Sequence, residues 1–164
     1  MAGLEDLYRE IILDHYRSPR NRGELPVPPA HKVEGFNPLC GDEVVLYLDV
    51  DPDTGTVRDV KIAGQGCSIS QASTSMMSAA VKGKSLEETH QLIRAFKALM
   101  SIHESKLEGE SDGSDLQADL EGVRLGDLEA LQGVVKFPVR IKCATLAWNT
   151  LQQALDEANA ESGV

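Results

Sequence analysis

Aromatic side chains are scarce in this chain: one Trp, three Tyr and three Phe make up 4% of its 164 residues. An interior built around stacked rings is therefore excluded, and the core is expected to be aliphatic, drawn from Leu, Val, Ile, Ala and Met. Basic charge is also short. With 16 Lys and Arg against 26 Asp and Glu, the net charge is −10 and the pI is near 4.8. Such a chain repels phosphate, which argues against a general nucleic-acid binder. No apolar run approaches the ~18 residues of a membrane span, and no basic stretch leads into one at the N-terminus. The chain is accordingly expected to be a cytoplasmic protein with no membrane partner.

Cysteine is sparse as well: there are three, and no two form a C-x-x-C pair. An odd number without a secretory signal argues against a disulfide framework and leaves buried thiols, a metal site or a nucleophile. Any metal site must then be assembled by folding.

What is present reads as one domain over residues 1–164. Leu4, Leu7, Tyr8, Ile11, Ile12 and His15 follow helical spacing, and Pro19 stops that helix. The polar turn Tyr16 to Gly23 reads as a solvated helix exit, and His15 as a packed residue. Pro26, Pro28 and Pro29 make an extended connector, His31 to Gly35 a short strand, and Asn37-Pro38-Leu39 a turn. Glu43–Val50 and Val57–Ala63 alternate as strands around Asp51-Pro52-Asp53-Thr54-Gly55, a strong turn signal, so they should pair as an antiparallel hairpin. Cys40 precedes the first strand and Cys67 follows the second, which brings both to the same open end of the sheet.

Gly64-Gln65-Gly66-Cys67-Ser68 then forms a strand-to-helix turn, with Cys67 where free N–H groups and the helix dipole favour an anion. Ser85 and Glu88 form a capping box at the start of another helix. From Glu104 to Ala130, nine acidic residues against two basic give a local charge of −7. This acidic insertion contains a mobile loop around Glu108 to Asp115 and a short helix near Leu125 to Leu131. Phe137 to Cys143 leads into a last helix, which places Cys143 at or near a helix N-terminus as well.

Cys40, Asp42, Cys67 and Cys143 supply three thiolates and one carboxylate. That is enough for a tetrahedral zinc site if the last helix packs its start against the hairpin mouth. Soft thiolates equally suit an iron–sulfur cluster, and three merely buried thiols remain an alternative.

Four segments resemble the U-type (IscU/NifU N-terminal-like) iron–sulfur cluster assembly family. They are Asp14 to Asn21, Asn37-Pro38-Leu39-Cys40-Gly41-Asp42, Gly66-Cys67-Ser68-Ile69-Ser70 and Phe137-Pro138-Val139-Arg140-Ile141-Lys142-Cys143, together spanning nearly the whole chain. The resemblance implies an α+β fold of the SufE/NifU-like kind: a small antiparallel sheet of about three strands with helices packed on one face. Two departures from the family's scaffold pattern point to its zinc-containing sulfur-acceptor branch. Lys142 stands where the scaffolds have a histidine, and the acidic insertion at about 104–130 is additional. On that resemblance, zinc is held by Cys40, Asp42, Cys67 and Cys143. Cys40, in a loop, is the catalytic acceptor of persulfide sulfur from a SufS-type cysteine desulfurase, and downstream iron–sulfur scaffold proteins receive the sulfur. Arg140 and Lys142 are auxiliary cations for docking or for stabilising a persulfide. Scaffolding of a transient [2Fe–2S] cluster is the competing function, and a purely structural zinc domain the third.

Overall fold

The computed structural model describes residues 4–27, 30–38, 41–51, 53–108, 126–136 and 138–161. Helix α1 (Leu4–Arg17) is followed by β1 (His31–Asn37), β2 (Asp42–Asp51) and β3 (Thr56–Gln65). Helices α2 (Ser68–Val81) and α3 (Leu86–Glu108), a 3₁₀ segment (Gly126–Lys136) and α4 (Pro138–Glu161) complete the order. The strands form one antiparallel sheet in the order β1-β2-β3. Asn37 opposes Asp42 across the first pair, and Glu43 opposes Gln65 across the second. The Asp51–Gly55 turn therefore closes one end of the sheet, while Asp42 and the residues after Gln65 share the other.

Alternation decides which face is covered. Val44, Leu46 and Leu48 of β2 are fully buried beneath the helices, with Val57, Val60 and Ile62 of β3 beside them. Intervening Glu43, Val45 and Asp49 are only partly covered, so the helices pack on one face, as the sequence pattern implies. The core is largely aliphatic, and at its centre Trp148 of α4 stacks on Phe96 of α3, with ring centroids 4.6 Å apart and an interplanar angle of 17°. Gly35 of β1 admits α4 closely, since a Cβ there would collide with the Thr150 hydroxyl.

The capping box holds as expected: the Ser85 hydroxyl accepts from the Glu88 N–H at 3.1 Å, and the Ser85 N–H donates to Glu88 Oε1 at 3.4 Å. β1 runs two residues beyond the expected strand, to Asn37. Helix α4 begins at Pro138, so Cys143 lies in its second turn and not at its N-terminus. Proline at the first helical position has no N–H to lose there and is preset for helical φ. Most of the acidic insertion, including the loop around Glu108 to Asp115, lies outside the described residues. Within the expected helix near Leu125 to Leu131, the 3₁₀ segment begins at Gly126.

The turn after α1 also departs from expectation. It is docked, not solvated. Ser75 and Ser78 of α2 hold it: the Arg20 N–H donates to Ser75 Oγ at 2.9 Å, and Asn21 Nδ2 donates to Ser78 Oγ at 3.1 Å. The Ile62 N–H donates to the Asn21 carbonyl at 2.9 Å, and the Gly23 N–H to the Ile62 carbonyl at 3.0 Å, extending the free edge of β3. His15, 2% exposed, shares a 2.8 Å hydrogen bond through Nδ1 with the same Ser75 hydroxyl and is packed as expected. Arg20 reaches back to Asp14 at 2.5 Å and holds that carboxyl below its usual pKa.

Candidate metal centre

Three elements deliver the site. Asp42 opens β2 and is 1% exposed. Cys67 is the N-cap of α2 and half-buried, and Cys143, in α4, is completely buried. Their ligand atoms all lie within 4.8 Å of one another. Among the described residues, this is the one group of three or more His, Cys, Asp or Glu side chains close enough to share a metal ion.

Local chemistry fixes each member. Asp42 Oδ1 accepts the Cys67 N–H at 2.9 Å, which ties the start of β2 to the start of α2 and leaves Oδ2 3.9 Å from Cys67 Sγ. Cys67 Sγ accepts the Ser70 N–H at 3.4 Å, so the sulfur takes the place of the usual Ser or Asp oxygen at a helix N-cap. Sulfur in that position faces the positive end of the helix dipole, a setting that favours an anion. Gly66 is required by this closeness: a Cβ at that residue would lie 2.5 Å from Asp42 Oδ1. Cys143 Sγ receives the amide of Asn37 at 3.8 Å, a weak bond from the last residue of β1. Asn37 itself is 7% exposed.

Two thiols and a carboxylate are a donor set suited to zinc, and three protein ligands already converge. In a tetrahedral zinc site with Zn–S bonds of ~2.3 Å the sulfur–sulfur edges are about 3.8 Å. Drawing in the described donors by an ångström or less would close such a site. The residues fit the ion.

Of the expected ligands, Asp42, Cys67 and Cys143 are thus brought together, and Cys40 lies outside the described residues. Arg140 and Lys142 are both exposed, on the first turns of α4. Sequence reasoning missed Asn37 and the hydroxyls of α2. The sequence places Asn37 in a turn and at the head of the Cys40 segment, but its bond to a sulfur 106 residues away has no local signal.

Residues 7–119 match the family described as NifU-like N terminal domain. The chain is 43% identical over 162 residues to the zinc-dependent sulfurtransferase SufU of Bacillus subtilis, covering 99% of this chain and 97% of that protein. It is 40% identical over 162 residues to the iron–sulfur cluster assembly scaffold protein IscU of Streptococcus pyogenes, covering 98% and 91%. Among solved structures, FiSufU from Fervidobacterium islandicum superposes with a TM-score of 0.71 at 34% identity, over 93% of this chain and 99% of that one. An N-terminal NifU-like protein from Brucella abortus shares the fold, with a TM-score of 0.70 at 20% identity over 96% and 97%.

Proposed function

The chain belongs to the family of NifU-like N terminal domains, and on that premise we propose that it is a zinc-dependent sulfur acceptor for iron–sulfur cluster assembly, taking persulfide sulfur from a SufS-type cysteine desulfurase. The observation that carries this reading is the convergence of a buried carboxylate and two thiols within 4.8 Å, in a chain so similar to a zinc-dependent sulfurtransferase. Asp42, Cys67 and Cys143 hold the ion, with Cys40, two residues before Asp42, as the fourth ligand. Bound there, zinc keeps its thiolate ligands deprotonated and binds the hairpin mouth to α2 and α4.

Cys40 is the acceptor in this reading. Once released from the metal, its thiolate attacks the outer sulfur of the desulfurase persulfide, a new S–S bond forms on Cys40, and the old one breaks. The desulfurase thiolate leaves with the electron pair, so the transfer involves no net oxidation. Neither described cysteine suits the task as well: Cys143 is completely buried, and Cys67 is committed to the cap of α2. Arg140 and Lys142, exposed on the helix that carries Cys143, supply positive charge for docking or for an anionic persulfide. Downstream iron–sulfur scaffold proteins are the recipients.

Persulfide labelling after incubation with a desulfurase and free cysteine tests the assignment. Cys40→Ala should abolish sulfur acceptance; a variant that still accepts sulfur and still accelerates desulfurase turnover removes Cys40 from the role. Similarity to an IscU scaffold supports a second reading, in which the same thiolates carry a transient [2Fe–2S] cluster as cargo. Metal analysis after purification without oxygen separates the two. Stoichiometric zinc without visible absorption supports transfer, and labile iron with sulfide supports scaffolding.

A further inference from the structure

Helix α2 buries Ser70, Ser73, Thr74, Ser75 and Ser78, an unusual density of hydroxyls for a core helix. Thr74, Ser75 and Ser78 have other uses. Thr74 donates to the Ser70 carbonyl at 2.7 Å and Ser78 to the Ser75 carbonyl at 2.7 Å, within the helix itself. Ser75 serves His15 and the docked turn after α1. Ser73 differs, because its hydroxyl leaves α2 and reaches α4. It donates to the Ala144 carbonyl at 2.6 Å and accepts from Trp148 Nε1 at 3.2 Å, and all three residues are completely buried.

These partners place Ser73 between two metal ligands. Ala144 directly follows Cys143, and Cys67 caps the helix on which Ser73 lies, six residues further along. A short path thus runs from Cys67 through under two turns of α2 to Ser73, across one hydrogen bond to Ala144, and back one residue to Cys143. Side-chain packing alone lets two helices slide or rotate by fractions of an ångström. A directional bond to a single carbonyl fixes register as well as distance. Metal–ligand bond lengths vary by only about 0.2 Å, so a bond that limits how far the Cys143 turn can shift against α2 matters to the ion as well as to the core.

We propose that Ser73 is a positioning residue for the metal centre, its hydroxyl tying the Cys143 turn of α4 to α2 so that Cys143 stays within reach of an ion shared with Cys67 and Asp42. This inference rests on the zinc reading above. It is tested by zinc affinity, measured by competition with a chromophoric chelator, and by the thiolate-to-metal absorption of the cobalt(II)-loaded protein. Ser73→Ala should weaken zinc binding about tenfold or more, the scale of a lost outer-shell partner, and alter the cobalt spectrum. That variant also orphans the Trp148 indole N–H in the core, so stability falls for a second reason. Ser73→Ala/Trp148→Phe has no orphan and shares the core cavity of Trp148→Phe alone, so these two should be nearly equal in stability while the metal defect separates them. Ser73→Thr, which keeps the hydroxyl, should restore the affinity and spectrum lost in Ser73→Ala. An affinity that simply follows thermal stability and is equal in Trp148→Phe and the double variant overturns the proposal, as does a Ser73→Ala protein with wild-type affinity and spectrum. If the wild-type chain binds neither metal stoichiometrically, the zinc reading itself fails and this inference fails with it.

Discussion

At one end of the β2–β3 hairpin, Asp42 is 1% exposed and accepts the backbone N–H of Cys67. At the other end Asp49 pairs with Arg58 at 2.9 Å, and Asp51 accepts the Asp53 N–H at 2.9 Å, both partly in water. The same residue type on the same strand, β2, thus has two fates. Exposed carboxylates at the turn end keep their solvation and contribute little beyond local order. Burial at the mouth strips solvent from Asp42, and its lost hydration must be replaced by the Cys67 amide and a further cation or donor. What distinguishes a candidate ligand from a surface acid here is the company of two sulfurs and the loss of water.

The sharpest test of that contrast replaces one carboxylate at each end. Asp42→Ala should cost on the order of 100-fold or more in zinc retention, since lost outer-shell partners alone cost about 10–100-fold. It also leaves the Cys67 N–H without its acceptor, at about 1–3 kcal/mol of stability. Asp49→Ala should cost about 1 kcal/mol or less and leave the metal untouched. Zinc stoichiometry after challenge with a chelator decides the matter: full retention in Asp42→Ala removes that carboxylate from the ligand set.

A smaller effect is expected from backbone space. Gly66→Ala forces a Cβ to within 2.5 Å of Asp42 Oδ1, and the strain should destabilise the fold by about 1–3 kcal/mol. Asp53→Ala, exposed in the opposite turn, should stay within about 0.5 kcal/mol of the parent. Equal denaturant midpoints for the two variants would show that the mouth is less crowded than the geometry states.

The hairpin and the helix cap were legible in the sequence because their signals are local. Asp51 to Gly55 announces a turn, alternating strands flank it, and Cys67 follows Gly66 just where α2 starts. Ser85 and Glu88 form their box three residues apart for the same reason. The gathering of Asp42, Cys67 and Cys143 was legible only in part. Strand pairing brings the first two together, but the third depends on how α4 crosses the sheet. Cys143 is expected at or near a helix N-terminus; it lies in the second turn because Pro138 starts α4 earlier than the lead-in segment suggests. Bonds such as Ser73 to Ala144 and His15 to Ser75 span 71 and 60 residues. No spacing rule encodes them, since buried serines carry no periodic signature separate from that of the helix. The docked turn at Arg20 and Asn21 was misread for the same cause: its partners lie on α2 and β3.

The smallest expected effect lies at the turn end and follows from charge alone. The Asp53 backbone N–H, the largest influence on Asp51, holds its carboxyl below the ordinary value of 3.8, with Thr54 and Arg58 adding to the shift. A carboxyl whose pKa is lower in the folded chain contributes stability above its unfolded pKa, and that contribution is lost as pH falls through the folded value. Asp51→Asn keeps an oxygen to accept the Asp53 N–H but removes the charge. The parent should therefore be slightly more stable than Asp51→Asn at neutral pH, and the gap should close below the ordinary carboxylate pKa. Urea midpoints of both proteins between neutral and strongly acidic pH measure it. A gap that stays constant would mean that the charge of Asp51 has no part in the turn and that its oxygen geometry alone fixes this end of the hairpin, whereas a gap that widens in acid would mean that the charge opposes the turn.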